Sequence, residues 1–171
     1  GLFSDSEIKQ ILNHALKVRL NMTRADLMLA GDQRLSESDL LYFRSIVKRL
    51  QANEPMQYIF GDTVFAVLSI KCDRRALIPR PETEELVDWI LKETEKDARI
   101  EIMDLCTGTG CIALALKNRL PESMVHAVDY SKDALELAKE NSEQLKLDIE
   151  IHHLDVLTSP GDWKFKPGSF D

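Results

Sequence analysis

The stretch Ile102-Met103-Asp104-Leu105-Cys106-Thr107-Gly108-Thr109-Gly110-Cys111 decides how the rest of the chain is read. An apolar run carries a carboxylate near its end, passes through two glycines, and leads into an apolar, alanine-rich segment at 112–116. This pattern predicts a strand, a turn and a helix. Glycine suits such a turn because it tolerates positive φ and lets the backbone approach a ligand with no Cβ in the way. The helix behind it offers unpaired N–H groups and partial positive charge to an anionic group. The loop is therefore a candidate nucleotide-type site.

The glycines alone do not choose the nucleotide, since residues 108–113 also fit the loose dinucleotide pattern G-x-G-x-x-G/A. Asp104 separates the two. Beside a pyrophosphate its charge is repelled, at high cost where water is scarce. S-adenosyl-L-methionine has no phosphate and carries a sulfonium and an ammonium, so the same carboxylate helps. The residues favour a methyl-donor site over a dinucleotide site, and an ordinary glycine turn is the plain structural alternative.

Beyond the loop the chain alternates: strand 99–105, a helix ending at Leu120, strand 124–128, helix 132–147 and strand 149–154. Alternation of this kind predicts a parallel sheet with helices on its faces and ligands at the carboxyl ends of the strands. Asp129 ends the second strand about 20 residues past the glycines, where an acid accepts ribose hydroxyl hydrogen bonds. Asp155 follows the third strand, within reach of an adenine amino group. Each aspartate alone reads equally as a helix cap, and Ser131 already offers that role after Asp129. The pair His152-His153 has no neighbouring cysteine or carboxylate cluster in the sequence, so no metal is assigned to it.

Ahead of the loop, Ser4 or Ser6 can cap a helix whose apolar residues Ile8, Ile11, Leu12, Ala15 and Leu16 recur at helical spacing. Thr23 with Asp26, and Ser36 with Asp39, repeat the start signal, and Gly31 offers a stop between them. Leu40, Phe43, Ile46, Val47 and Leu50 form one face of the third helix. Residues 1–53 are expected to be a small helical bundle with these stripes as its core, a partner-binding groove being the alternative. His14 is read as a surface or half-buried helix residue. Residues 54–76 turn β-rich, with Val64, Phe65, Val67, Leu68 and Ile70 as strand formers and Gly61-Asp62 as the turn of a hairpin linker. Residues 77–171 open on Ile78-Pro79-Arg80-Pro81-Glu82-Thr83-Glu84, where two prolines stiffen the backbone before a helix and suit Arg80 and Glu82 to a pocket rim.

The 171 residues, 44% hydrophobic and 30% charged, suit an ordinary globular chain. No apolar run reaches the length of a membrane span, and no secretory leader is visible. The three cysteines, Cys72, Cys106 and Cys111, lack metal-ligand spacing and point to a reducing cytoplasm. Residues 1–75 hold 11 Lys/Arg against 9 Asp/Glu, and residues 76–171 hold 11 against 20, so the halves carry +2 and −9. An acidic second half without a basic stripe disfavours a stable nucleic-acid partner.

Several of these motifs coincide in one family. Glu54-Pro55, Gln57-Tyr58-Ile59, Gly61, Phe65, the Ile-Pro-Arg-Pro-Glu-Thr-Glu string and the loop from Asp104 to Gly110 together resemble the HemK/PrmC protein-glutamine methyltransferases. The resemblance covers almost the whole chain and implies an α/β, class I (Rossmann-like) methyltransferase domain behind a helical domain that helps engage the substrate. It implies S-adenosyl-L-methionine as cofactor and class 1 peptide chain release factors as partners, methylated on the amide nitrogen of the Gly-Gly-Gln glutamine. Carried over by position, Asp104, Cys106, Thr107, Gly108, Thr109 and Gly110 surround the methionine and ribose, Asp129 holds the ribose, and Asp155 with Val156 holds the adenine. Arg80, Pro81, Glu82 and Thr83 border the pocket. The family usually has glycine where this chain has Cys106, which sets a side chain where backbone normally approaches the ligand.

The family's catalytic Asn-Pro-Pro-Tyr is not found: no Asn here is followed by Pro. Ser169-Phe170-Asp171 resembles the lead-in to the strand that precedes it, so the chain is expected to be an N-terminal fragment, inactive as given, with an incomplete methyltransferase domain. An incomplete sheet leaves a strand edge and apolar faces exposed, which favours self-association. The rival readings are a nucleic-acid amino-group methyltransferase, which uses a similar motif on planar nitrogens, and a non-catalytic binding module.

Overall fold

The structure, a computed structural model, describes residues 3–30, 34–95, 99–158, 165 and 170, apart from the side chains of Arg24 and Leu27. The chain divides into two units, Gly1–Phe60 and Gly61–Asp171. In the first, α1 (Asp5–Leu20), α2 (Arg24–Leu29) and α3 (Glu37–Gln51) all begin at a reciprocal cap. Ser4 is the cap of α1: its Oγ accepts the Glu7 N–H, and Glu7 Oε2 accepts the Ser4 N–H at 2.8 Å. Thr23 with Asp26 and Ser36 with Asp39 repeat the exchange. Each box satisfies two N–H groups that a helix start leaves bare. The stop expected at Gly31 lies outside the described residues.

Ile11 and Ala15 of α1 pack with Ile46 of α3 and with Ile59 of α4 (Met56–Phe60). Arg49 closes the end of α4: its Nε and Nη2 donate to Glu54 at 2.6 and 3.0 Å, and its remaining N–H groups donate to the Tyr58 and Ile59 carbonyls. The apolar stripes are only half core. Ile8, Leu12 (50% exposed), Leu40 and Val47 (53%) remain open and line an apolar groove of about 550 Å³ together with Phe43 and Leu50. Geometry accounts for this, because three short helices bury one narrow stripe each and these stripes are wider than the contact.

The stretch 54–76 divides between the units. Its start forms α4, and its end forms the antiparallel pair β1 (Asp62–Phe65) and β2 (Leu68–Lys71), whose Phe65 and Ile70 are buried in the core of the second unit. The hairpin turns at Ala66-Val67, with φ of 45° and 66°, and not at Gly61-Asp62. A two-residue hairpin turn requires positive φ at both centres to follow the strand twist. Gly61 instead leads into β1, its carbonyl accepting the Cys72 N–H at 2.8 Å.

The rest of the second unit runs α5 (Pro81–Glu93), β3 (Glu101–Leu105), α6 (Cys111–Arg119), β4 (Met124–Asp129), α7 (Lys132–Leu145) and β5 (Glu150–His153). The three strands are parallel in the order β3-β4-β5. Alternation along β4 sends Val125 and Ala127 into the core with Ala113, Leu114 and Leu116 of α6. Side chains such as Leu114 and Phe65 contribute about 1.5–3 kcal/mol each when fully buried. Among the described residues, no helix is long and apolar enough to cross a membrane.

Polar contacts tie the hairpin to α7. Glu140 accepts from Lys71 Nζ at 2.7 Å and from Arg75 Nη1 at 2.7 Å, and Arg75 also pairs with Asp73. Arg75 first, then Lys71, holds the Glu140 carboxyl down at about 2, against an ordinary value of 4.5. A depressed carboxyl contributes stability above its unfolded pKa and loses it as pH falls through the folded value. Glu140→Gln is therefore expected to lower the melting temperature at neutral pH, with its difference from the parent vanishing as pH falls from about 4.5 toward about 2. Thermal melting across that range measures this.

Candidate functional site

Asp104, near the end of β3, is buried and turned into the glycine loop. Its Oδ2 accepts the Thr107 hydroxyl at 2.6 Å and the Ala113 N–H, from the first turn of α6, at 3.3 Å. Burial pushes its carboxyl above the usual carboxylate range, and the nearby Asp129 charge adds to the rise; the Thr107 and Ala113 bonds oppose it. Asp129, at the end of β4, binds the loop from the other side. Its Oδ2 accepts the Gly108 N–H at 2.9 Å and its Oδ1 the Ser131 N–H at 2.9 Å. Thr107 N–H donates to the Val128 carbonyl at 2.9 Å, which fixes the loop across the gap between β3 and β4.

The loop backbone is left-handed at Cys106 (φ 61°), Gly108 (57°) and Gly110 (79°). Gly110 caps α6, and a Cβ there would lie 3.1 Å from the Ala138 Cβ, so both conformation and space demand glycine. Cys106 holds the same hand with a side chain attached, at a cost of about 1–2 kcal/mol for a left-handed L-residue. Its thiol is exposed, whereas burial pushes the thiols of Cys72 and Cys111 up to about 12 and about 11.

A fully buried residue that the sequence reading did not single out supports the loop. Asn141, on α7, donates to the Thr109 carbonyl at 2.9 Å and to the Lys71 carbonyl at 3.1 Å, and its Oδ1 accepts the Lys71 N–H at 2.7 Å. The loop, α7 and β2 are joined through this one amide. The signal in the sequence was slight: a polar residue among the apolar positions of an amphipathic helix.

Beyond β5 the backbone runs beside Asp129, with the Leu154 N–H donating to the Asp129 carbonyl at 3.1 Å. Asp155 and Val156 follow, both half-buried, and Asp155 Oδ1 accepts the Leu157 N–H at 2.9 Å. Tyr130, 70% exposed, stacks on His153 with ring centroids 6.1 Å apart, so an open aromatic face stands next to Asp129. Arg80, Pro81, Glu82 and Thr83 form the start of α5, with Thr83 N–H donating to the Arg80 carbonyl; no hydrogen bond among the described residues ties Arg80 or Glu82 to the loop. The structure thus gathers Asp104, Thr107, Gly108, Thr109, Gly110 and Asp129 in one bonded group, with Asp155 reached through the backbone.

The sheet register gives His152 neighbours that lie apart in the sequence. His152 does have a carboxylate and a second imidazole beside it: His126 Nδ1 lies 3.0 Å from His152 Nε2, and Glu150 Oε2 lies 3.4 and 3.6 Å from these two atoms.

The donor set fits a cationic methyl donor. Two carboxylates flank a loop whose glycine at 108 leaves room for backbone approach, and a Cβ there would meet only Ala76, at 3.8 Å.

Residues 5–61 match the PrmC N-terminal domain family, and residues 83–166 match the methyltransferase small domain family. A release factor glutamine methyltransferase of Flavobacterium psychrophilum is 37% identical over 160 residues, which are 92% of this chain and 56% of that protein. The protein of that description from Lactococcus lactis is 46% identical over 125 residues, 73% of this chain and 46% of its own length. The one from Bacteroides thetaiotaomicron is 37% identical over 94% of this chain and 57% of its own length. The chain spans about half the length of the curated relatives it matches.

Two outcomes check the site's architecture. A thiol reagent applied to the folded chain is expected to modify Cys106 alone, read by mass spectrometry, and Cys106→Gly to stabilise the fold by about 1 kcal/mol through relief of the left-handed strain. Asn141→Ala leaves the Thr109 and Lys71 backbone groups without their partner and is expected to cost at least ~2 kcal/mol in denaturant unfolding.

Proposed function

Because the chain belongs to the HemK/PrmC family of release factor glutamine methyltransferases, we propose that it supplies the cofactor loop and the helical front unit of such an enzyme. The substrate is the glutamine of the Gly-Gly-Gln tip of class 1 peptide chain release factors, methylated on its side-chain amide nitrogen. The observation that carries this reading is the pair Asp104 and Asp129 closing on the glycine loop at the ends of parallel strands.

When bound, S-adenosyl-L-methionine supplies an electrophilic methyl group on a sulfonium sulfur. Asp129 spends two of its roughly four lone-pair positions on Gly108 and Ser131, which leaves the others to accept ribose hydroxyls. Asp104 sets negative charge behind the loop, which favours a cationic ligand and disfavours a pyrophosphate. Cys106, Thr107, Thr109 and Gly110 shape the wall of the same turn. Asp155 and Val156 serve the adenine end, and Arg80, Pro81, Glu82 and Thr83 the rim.

An amide nitrogen is a poor nucleophile because its lone pair is delocalised, so rate depends on acceptors that orient its NH₂ for attack. In the family these acceptors are the Asn-Pro-Pro-Tyr, a motif not found in these 171 residues, so this chain by itself is expected to transfer no methyl group. β3 stands at the edge of the described sheet beside a groove of about 650 Å³ lined by Ile90, Ile102, Met103 and Leu105. A strand edge left uncovered in this way favours association with another strand. The apolar groove of the helical unit suits the protein substrate. The acidic second half disfavours a stable nucleic-acid complex, and a cytoplasmic location follows from the substrate.

Transfer of labelled methyl to release factor, tRNA, rRNA and DNA in competition tests the assignment. A parent protein extended past Asp171 is expected to label only the release factor, on the Gly-Gly-Gln glutamine, and the 171-residue chain to label nothing. Labelling of nucleic acid instead, or labelling by the fragment, overturns the respective part. In the extended protein, Asp129→Asn is expected to weaken S-adenosylhomocysteine binding about 10–100-fold by calorimetry, the loss of charge-assisted hydrogen bonds of about 1.5–3 kcal/mol.

A further inference from the structure

The face of the sheet that does not pack on α6 carries a second polar group. Val125 and Ala127 point into the core, so His126 between them points to the other side, where it is 4% exposed. The register sets Glu150 opposite His126 and His152 opposite Val128, which puts all three polar side chains on that side. Three donor atoms converge: His126 Nδ1 and His152 Nε2 are 3.0 Å apart, and Glu150 Oε2 lies 3.4 Å from the first and 3.6 Å from the second.

These separations match a metal-ligand set. Bonds of about 2.0–2.1 Å in tetrahedral geometry place neighbouring ligand atoms about 3.3 Å apart. The other nitrogen of His126, Nε2, lies 3.1 Å from Glu101 Oε1. Among the described residues that nitrogen is buried without a hydrogen-bond partner, and Glu101 is the carboxylate close enough to take its proton's bond, which would turn the Nδ1 lone pair toward the centre in the usual outer-shell arrangement of a metal-binding imidazole. The rings of Phe165 and Phe170 pack edge-on against His126 at 5.5 and 5.6 Å, and Phe165 also packs on His152, giving the cluster an apolar wall. A simple imidazole pair explains the 3.0 Å contact but gives no reason for Glu150 to approach both of these ring nitrogens.

We propose that His126, His152 and Glu150 form a binding site for a first-row divalent cation of the zinc class, with Glu101 as the outer carboxylate that positions His126. Two imidazoles and one carboxylate are a donor set that such ions accept, with water in the fourth position. The ion bridges β4 and β5 and offsets negative charge on the acidic half of the chain. None of these four residues belongs to the glycine loop, so the site stands independently of the methyl-transfer reading.

Titration of the metal-stripped full chain with Co²⁺ tests it. The expected result is one equivalent bound, with the intense visible absorption of tetrahedral Co²⁺, displaced by Zn²⁺. His152→Ala and Glu150→Gln alter half-exposed or exposed groups and are expected to abolish that spectrum while far-ultraviolet circular dichroism stays unchanged; His153→Ala is expected to keep it. Glu101→Gln is expected to retain the stoichiometry and weaken binding about 10–100-fold. Absence of a saturable one-equivalent spectrum, or a spectrum that survives His152→Ala, overturns the proposal.

Discussion

Two carboxylates hold open a turn that would not otherwise keep its shape. Residues 106, 108 and 110 all take the left-handed backbone conformation, and one of them bears a side chain. Such a run has no regular hydrogen-bond ladder of its own, so its N–H and hydroxyl donors need acceptors from outside. Asp104 takes Thr107 and the first turn of α6; Asp129 takes Gly108. The same bonds that shape the loop bring two acidic side chains to the ends of β3 and β4.

The turn in turn depends on what lies behind it. Asn141 binds Thr109 on one side and both backbone groups of Lys71 on the other, while Glu140, one residue earlier on α7, binds the Lys71 and Arg75 side chains. A buried amide and a half-exposed ion network thus brace the hairpin and the loop against the same helix. The hairpin is part of the second unit's core, through Phe65 and Ile70, and a contact of this kind accounts for an Ala-Val turn at positive φ: the buried strands enforce a register that the turn residues would not choose.

The helical unit shows the opposite balance. Its caps are complete and its helices well specified, yet a good part of each apolar stripe remains open along the groove between α1 and α3. Local capping stabilises each helix start without requiring the whole face to be buried. The helical unit thus leaves apolar surface open, whereas the second unit places its apolar residues in the core and two of its carboxylates against the glycine loop.

Local chemistry was legible from the residues alone. The strand, turn and helix at 101–119, the capping boxes at Thr23 and Ser36, the alternation of strands and helices, and the carboxylates at strand ends all follow from spacing within a few residues, because each is decided by neighbours in the chain. What the tertiary structure decided depends on register and packing. It moved the hairpin turn to Ala66-Val67, gave α4 to a stretch read as β, and turned Asp104 inward as a brace for the loop. It brought Asn141 to Thr109 across 32 positions and His126 to His152 across 26. No pattern in one segment predicts such pairs, since they exist only once parallel strands have taken a particular register and a helix has settled on a particular face.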